Sequence, residues 1–339
     1  MALVVLVVII VDFSEKVDKI IDNNVTMGEL VVEYYANFIP FIINMLSPLF
    51  IFIAVIFFTS RLAFNTEIVA ILNAGMSFRR LMVPYFLSAL VISLGLFVVA
   101  NFILPPANKK RIDFEEKYFY NDRVVKTRNI HMQLRPGVFV FMENYNDLVK
   151  TGWNFTLEKV EGGKLVYKLK AEDAKWNEQI GAWTLGKHTI RTIDGLTERL
   201  EFGNTIDTIL PLHPDDFVEN VKEKEAMTYG ELREFIDKQR LRGSPTVRFY
   251  EVEKHKRIAY PFSTIILTFI GVSLSSRKIK GGIGLHIGIG FGLSSFFILF
   301  VQFSTTFATN GNLPPIVAVW IPLVVFGLIA LYLFKKAPK

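Results

Sequence analysis

Residues 65–80, NTEIVAILNAGMSFRR, carry an acid at one end and two arginines at the other, and they join two long apolar runs. That join decides the fold. A short amphipathic stretch between two runs of spanning length reads as the turn of a helical hairpin through a membrane. A spanning helix needs about 20 apolar residues, at a rise of roughly 1.5 Å each. Five segments meet or nearly meet this requirement: 39–59, 81–104, 258–275, 283–308 and 315–334. The opening run MALVVLVVIIVDF is apolar but too short to cross. It lacks the charged n-region and small-residue cleavage site of a secretory signal. It is read as the outer part of a first span whose beginning is missing from the chain. The expected fold is a membrane α-helical bundle of six spans, the first truncated at its start, three on each side of a central domain.

Composition excludes several classes. The 339 residues are 51% hydrophobic, and the apolar residues cluster in blocks, which excludes a soluble domain. The net charge of +6 sits mostly beside those blocks, as topology signals do, and gives no case for a nucleic-acid partner. Cysteine is absent, which removes disulfides, thiolate catalysis and cysteine metal sites. His131, His188, His213, His255 and His286 show no metal-ligand spacing. No Walker A sequence occurs, so energy must come from a partner, and no cofactor is implied.

Between about 105 and 250 the composition changes: charge rises and apolar runs shorten. In KLVYKLKAED (164–173), Leu165, Tyr167, Leu169 and Ala171 alternate with Val166, Lys168, Lys170 and Glu172, the period of a strand with one wet face. GVFVFMENY (137–145) and AWTLGKHTIRTI (182–193) are also strand-like. Gly162-Gly163, Asp194-Gly195 and Gly203-Asn204 supply turns, and the spacing predicts an antiparallel sandwich or jelly roll. TYGELREFIDKQRL (228–241) reads as a helix with Leu232, Phe235 and Ile236 on one face, and a second helix is expected to start near Pro245. Asp215 and Asp216 read as a loop acid pair. The domain reading is 1–104 for spans one to three, 105–250 for the strand-rich domain with a helical connector, and 251–339 for spans four to six.

Charge orients the bundle. Arg61, Arg79, Arg80, Arg277, Lys278, Lys280, Lys335, Lys336 and Lys339 all fall on one side if the spans alternate. The positive-inside rule makes that side cytoplasmic and the central β domain extracytoplasmic. NKKR (108–111) and EKHKR (253–257) flank the domain on the outer side and oppose this, but long domains translocate largely regardless of charge.

The opening stretch then lies on the cytoplasmic side. Asn65 or Thr66 can cap a helix, Glu67 suits its positive end, and Ile68, Ile71, Leu72 and Met76 recur at helical spacing. Gly75 ends the helix, and Ser77 can cap the next. Two readings stand: an interfacial connector resting on lipid, or a short helix near 65–75 that docks into a soluble partner and transmits force. In GGIGLHIGIGFG (281–292), Gly284, Gly288 and Gly292 fall four apart, on one face, which suits close helix packing rather than a phosphate loop.

NTEIVAILNAGMSFRRLMVPY followed by NFILPPANKKR resembles the LptF/LptG (YjgP/YjgQ) family of lipopolysaccharide export permeases, as do VDFSEKVDKI before it and RIAYPFSTIILTFIGVSLSSRKIKGGIGLHIGIGFG after it. The resemblance covers essentially the whole chain. It implies an inner-membrane subunit of an ABC transporter, paired with a second permease and a cytoplasmic ATPase dimer. Such a transporter extracts lipopolysaccharide and passes it to a periplasmic jelly-roll bridge, in outer-membrane biogenesis. It implies that the helix at Glu67, with Ile68, Ile71 and Leu72, couples to the ATPase. It places the fifth span, with Gly284, Gly288 and Gly292, where lipid enters between subunits. It puts Lys16 and Lys19 near the substrate's phosphates and acidic sugars, although ordinary interface anchors fit those lysines too. Two alternatives remain from other residues: another ABC-type export or lipoprotein-release permease, or a membrane-embedded lipid-modifying enzyme. The latter would need paired catalytic groups inside the spans, where ionisable residues are almost lacking.

Overall fold

The computed structural model describes residues 1–119, 128–217, 221–244, 246–277 and 282–337. Lys278, Lys280, Gly281, Lys339 and Pro245 lie outside the described residues. The chain forms two compact units. One comprises Met1–Phe119, Lys222–Arg233 and Arg248–Lys339; the other comprises Tyr120–Val221 and Glu234–Val247.

The first unit is helical. Its helices are α1 (Ala2–Asp22), α2 (Met27–Phe64), α3 (Glu67–Asn73) and α4 (Phe78–Tyr118), followed after the strands by α5 (Tyr229–Arg242), which passes into the second unit, and then α6 (Val247–Ser275), α7 (Gly282–Asn310) and α8 (Pro315–Lys336). Among the described residues, α2, α4, α6, α7 and α8 are the five helices long and apolar enough to cross a membrane. Helix α1 is not one of them, because six charged residues follow its apolar first half. Helices α2 and α4 run well past their apolar stretches, each through a π-helical segment, Leu30–Tyr35 and Val99–Ile103.

Two glycines set the helix spacing. A Cβ at Gly290 of α7 would lie 2.2 Å from Ile56 Cδ1 of α2, and one at Gly271 of α6 would lie 3.1 Å from Val55. Phe52, Ile56, Ile270, Phe297 and Phe326 fill the core around these contacts. In α8, Pro322 cannot donate to the Ala318 carbonyl one turn back. Ser304 of α7 supplies the missing donor at 2.6 Å, so the freed carbonyl is satisfied by a neighbouring helix.

The second unit is an antiparallel sheet of eight strands: β1 (Arg128–Arg135), β2 (Val138–Asn146), β3 (Thr151–Glu161), β4 (Lys164–Asn177), β5 (Ala182–Leu185), β6 (His188–Asp194), β7 (Thr197–Gly203) and β8 (Ile206–Thr208). Strands β1 to β4 form a meander, and β4 then forks. Its first half, Tyr167–Ala171, pairs with β6, and its second half, Ala174–Asn177, pairs with β5. The eight strands are thus joined in one forked antiparallel sheet. The fork has a local cause. Leu169 and Ala171 point into the core, but the next inward residue is Ala174, so alternation slips by one at Glu172–Asp173. Opposite the slip, Asn154 of β3 takes a left-handed backbone at φ 53°. The stretch expected as one strand over 182–193 is likewise two, broken at Gly186, where a side chain would collide with Asp173.

One face of the sheet encloses Val140, Met142, Phe155, Leu169, Trp183 and Leu185. Trp183 is fully buried, and its indole donates to the Leu212 carbonyl at 2.8 Å. Burial along β4 rises from the half-buried Leu165 and Tyr167 to the fully buried Ala174. The apolar interior is thus closed beside Trp183 and looser toward the β3–β4 turn. The expected loop acid pair has a specific role at Asp216, whose two carboxylate oxygens take both Arg242 guanidinium nitrogens at 2.8 and 2.7 Å.

Candidate functional site

Helix α3 connects α2 and α4. Thr66 occupies the cap position, but in the left-handed region at φ 64° and without a side-chain capping bond, so the expected capping does not occur. Asn65 Nδ2 donates instead to Glu67 Oε1 at 3.1 Å, fixing the acid at the helix start. Gly75, at φ 88°, reverses the chain, and Ser77 accepts from the Arg80 amide to start α4.

The apolar stripe of α3 faces the bundle. Ile68 is 1% exposed and packs with Ala63, Phe78, Leu81 and Val272; Ile71 and Leu72 lean on the same cluster. An aromatic chain backs it, since Phe334 of α8 touches both Phe78 and Phe269 with ring centroids 5.7 and 6.2 Å away. Burying Ile68 stabilises this seat by about 1.5–3 kcal/mol. The opposite face carries Glu67, Val69, Ala70 and Asn73, all exposed, and Met76, expected on the apolar stripe, lies past the end of the helix and is exposed, with Arg79 and Arg80 beyond. Arg277 donates to the Lys336 carbonyl, tying the ends of α6 and α8 together at this end of the bundle. The short helix is therefore bolted to four spanning helices and presents an acid-tipped, mixed surface outward.

The glycine stripe is arranged the other way round. Gly284, Gly288 and Gly292 are exposed, and a Cβ at any of them would meet nothing within 4 Å. Among the described residues no other helix approaches them that closely. His286, between them in sequence, turns inward and is 3% exposed, with neither ring nitrogen hydrogen-bonded.

Lys16 and Lys19 are held by protein groups. Lys16 Nζ lies 2.6 Å from Asp12, hydrogen-bonds the Tyr34 hydroxyl, and sits 4.5 Å and 5.3 Å from the Tyr34 and Phe119 ring centroids. Asp12 also accepts from the Tyr34 and Tyr35 hydroxyls at 3.1 and 3.3 Å. Such a cage stabilises a cation by charge pairing and by ring quadrupoles together. Lys19 donates to the Phe119 carbonyl at 2.9 Å. The sequence placed these lysines beside Asp12 but gave no sign of the cage, because Tyr34 and Phe119 come from distant turns. A second charged network, equally hidden in sequence, joins Arg111 to Glu225 at 3.0 Å and Lys222 to Glu115 at 3.2 Å.

Among the described residues no group of acidic and histidine side chains could hold a metal ion. A family model described as lipopolysaccharide export system permease LptF/LptG matches residues 1–336. No curated protein matches the chain.

Proposed function

The chain belongs to the lipopolysaccharide export system permease family LptF/LptG, and on that premise we propose that it is one permease of an ABC-type exporter of lipopolysaccharide. A cytoplasmic ATPase dimer binds the outward face of α3, a second permease meets the glycine face of α7, and lipid leaves through the β unit to a jelly-roll bridge. The β unit lies in the periplasm and the arginines beside α3 in the cytoplasm of a bacterial inner membrane.

The observation that carries this reading is the seating of α3. Ile68, Ile71 and Leu72 anchor it to the bundle, so a push on Glu67 reaches α2, α4, α6 and α8 without bending a loop. The docking surface is therefore assigned to Glu67, Val69, Ala70 and Asn73, while the apolar trio transmits the force. The bundle's other end suits a glycolipid. A substrate phosphate can replace Asp12 as the partner of Lys16, and the loosening of the β interior toward Leu165 and Tyr167 suits acyl chains.

The test is co-purification with the ATPase. Glu67→Lys is expected to lower ATPase recovery with the membrane-extracted permease at least about tenfold, with the melting temperature unchanged. Full recovery would sink the assignment.

A further inference from the structure

Away from α3 and the glycine face, a crevice of about 130 Å³ opens within the helical unit between α2, α4 and α6. Its walls divide by polarity. Phe41, Met45, Leu96, Ala100, Leu104 and Pro261 make an apolar trough, and Asn108, Glu225, Glu253, Lys256 and Arg257 crowd the other end. Apolar helix surface meeting charge in this way marks the boundary between hydrocarbon and headgroup depth.

The polar end holds one buried acceptor that is unpaired among the described residues. Arg257 is held in place, because each of its three guanidinium nitrogens donates: to Glu253 at 2.9 Å and to the Met227 and Lys224 carbonyls at 2.6 Å each. Glu225 is held through one oxygen by Arg111 at 3.0 Å, and Glu253 through one oxygen by Arg257. Among the described residues no donor meets the second oxygen of either. Asn108 is 3% exposed; its amide donates to the Glu225 carbonyl at 3.1 Å, and its Oδ1 is buried with no partner. A buried acceptor left unpaired is costly. The exposed Lys256 makes no ion pair with any described residue.

A ligand that completes this set brings N–H donors for the acceptors, an anion for Lys256, and a hydrocarbon chain for the trough. We propose that the crevice is a site for one ethanolamine phospholipid. Its ammonium lies against Asn108, Glu225 and Glu253, its phosphate lies on Lys256, and one acyl chain follows Leu96, Ala100 and Leu104. A choline headgroup has no N–H to offer. A glycerol headgroup offers only hydroxyls and brings net negative charge toward two carboxylates. The volume admits a small headgroup and not an oligosaccharide, so this lipid is distinct from the exported one.

Native mass spectrometry of the full chain extracted in mild detergent tests this, with phosphatidylethanolamine, phosphatidylcholine and phosphatidylglycerol of matched chains and lipopolysaccharide as separate probes. The expected result is one retained phosphatidylethanolamine per chain, with phosphatidylcholine retained at least about tenfold less. Lys256→Ala and the rim-plugging Met45→Trp, both at exposed positions, are each expected to cut that retention about tenfold without lowering the melting temperature. Equal retention of the choline lipid, preference for phosphatidylglycerol, displacement by lipopolysaccharide, or retention unchanged in both variants would each overturn the proposal. ATPase recovery is independent of these outcomes, so failure here leaves the role of α3 standing.

Discussion

Helices α3 and α7 each carry a clear periodic stripe, and the two stripes point in opposite directions. On α3 the stripe faces inward: Ile68 is buried against Phe78 and Val272. On α7 the glycines at 284, 288 and 292 are exposed with no described residue within 4 Å of an added Cβ, and the close contact is made by Gly290. The difference lies in the surroundings. Helix α3 sits at the end of the bundle, with water on its far side, so hydrophobicity sends its apolar face inward. Helix α7 has hydrocarbon on one side and protein on the other, and both are apolar, so hydrophobicity does not choose between them. Shape chooses instead, and Ile56 fills the one gap that only a glycine leaves.

The largest expected effect breaks the α3 half of this comparison. Ile68→Ala removes a fully buried side chain at the seat of α3 and is expected to cost about 2–5 kcal/mol. Val69→Ala, one residue on and exposed, is expected to stay within about 0.5 kcal/mol. Thermal unfolding of the two variants in the same detergent checks the pair. Equal losses would mean that α3 has no inward face.

A smaller effect breaks the α7 half. Gly290→Val forces a side chain into Ile56 and is expected to cost about 1–3 kcal/mol, largely restored by the double variant with Ile56→Ala. Gly288→Val meets open space and is expected to leave the single chain's melting temperature unchanged. Crosslinking to a second permease separates the variants further. Gly288→Val is expected to reduce it and the repaired Gly290 variant to leave it intact. A stability loss at Gly288 as large as at Gly290 would show that the outward stripe packs within the chain.

The same contrast explains what was legible in the sequence. Long apolar runs gave the five spans, because length against bilayer thickness is a one-dimensional property. The alternation in 164–171 gave β4, and it failed at Glu172, where the chain slips to reach a second partner strand. Nothing local to β4 announces that slip; its counterpart is the left-handed Asn154 on the neighbouring strand. Helix α3 was legible as an amphipathic element, while the side its apolar stripe takes depends on Ala63, Phe78 and Val272, which come from three other helices. The cage around Lys16 was illegible, since it draws Tyr34 and Phe119 from far along the chain to one ammonium group.

The smallest effect extends the comparison from size to charge, in the β unit. Asp216 reads in sequence as half of a loop acid pair, and the structure clamps it to the buried Arg242. Burial pushes the carboxyl up, but hydrogen bonds from Arg242 and the His213 amide, with the charges of Arg242 and Lys238, outweigh it and hold Asp216 below its ordinary value of 3.8. The folded value is the depressed one, so the unfolded chain takes up a proton first as pH falls. The clamp's stabilisation is thus full above the ordinary carboxylate range and is lost as pH drops through the folded value. One proton limits the slope to about 1.4 kcal/mol per pH unit. Three of the four tryptophans, Trp153, Trp176 and Trp183, lie in this unit, so their fluorescence during denaturant unfolding isolates it. Arg242→Met is expected to be less stable than the parent at pH 6 and to approach it near pH 3. A gap that stays constant over that range would mean that Arg242 acts by packing its stem, and that charge, unlike size, decides no orientation here.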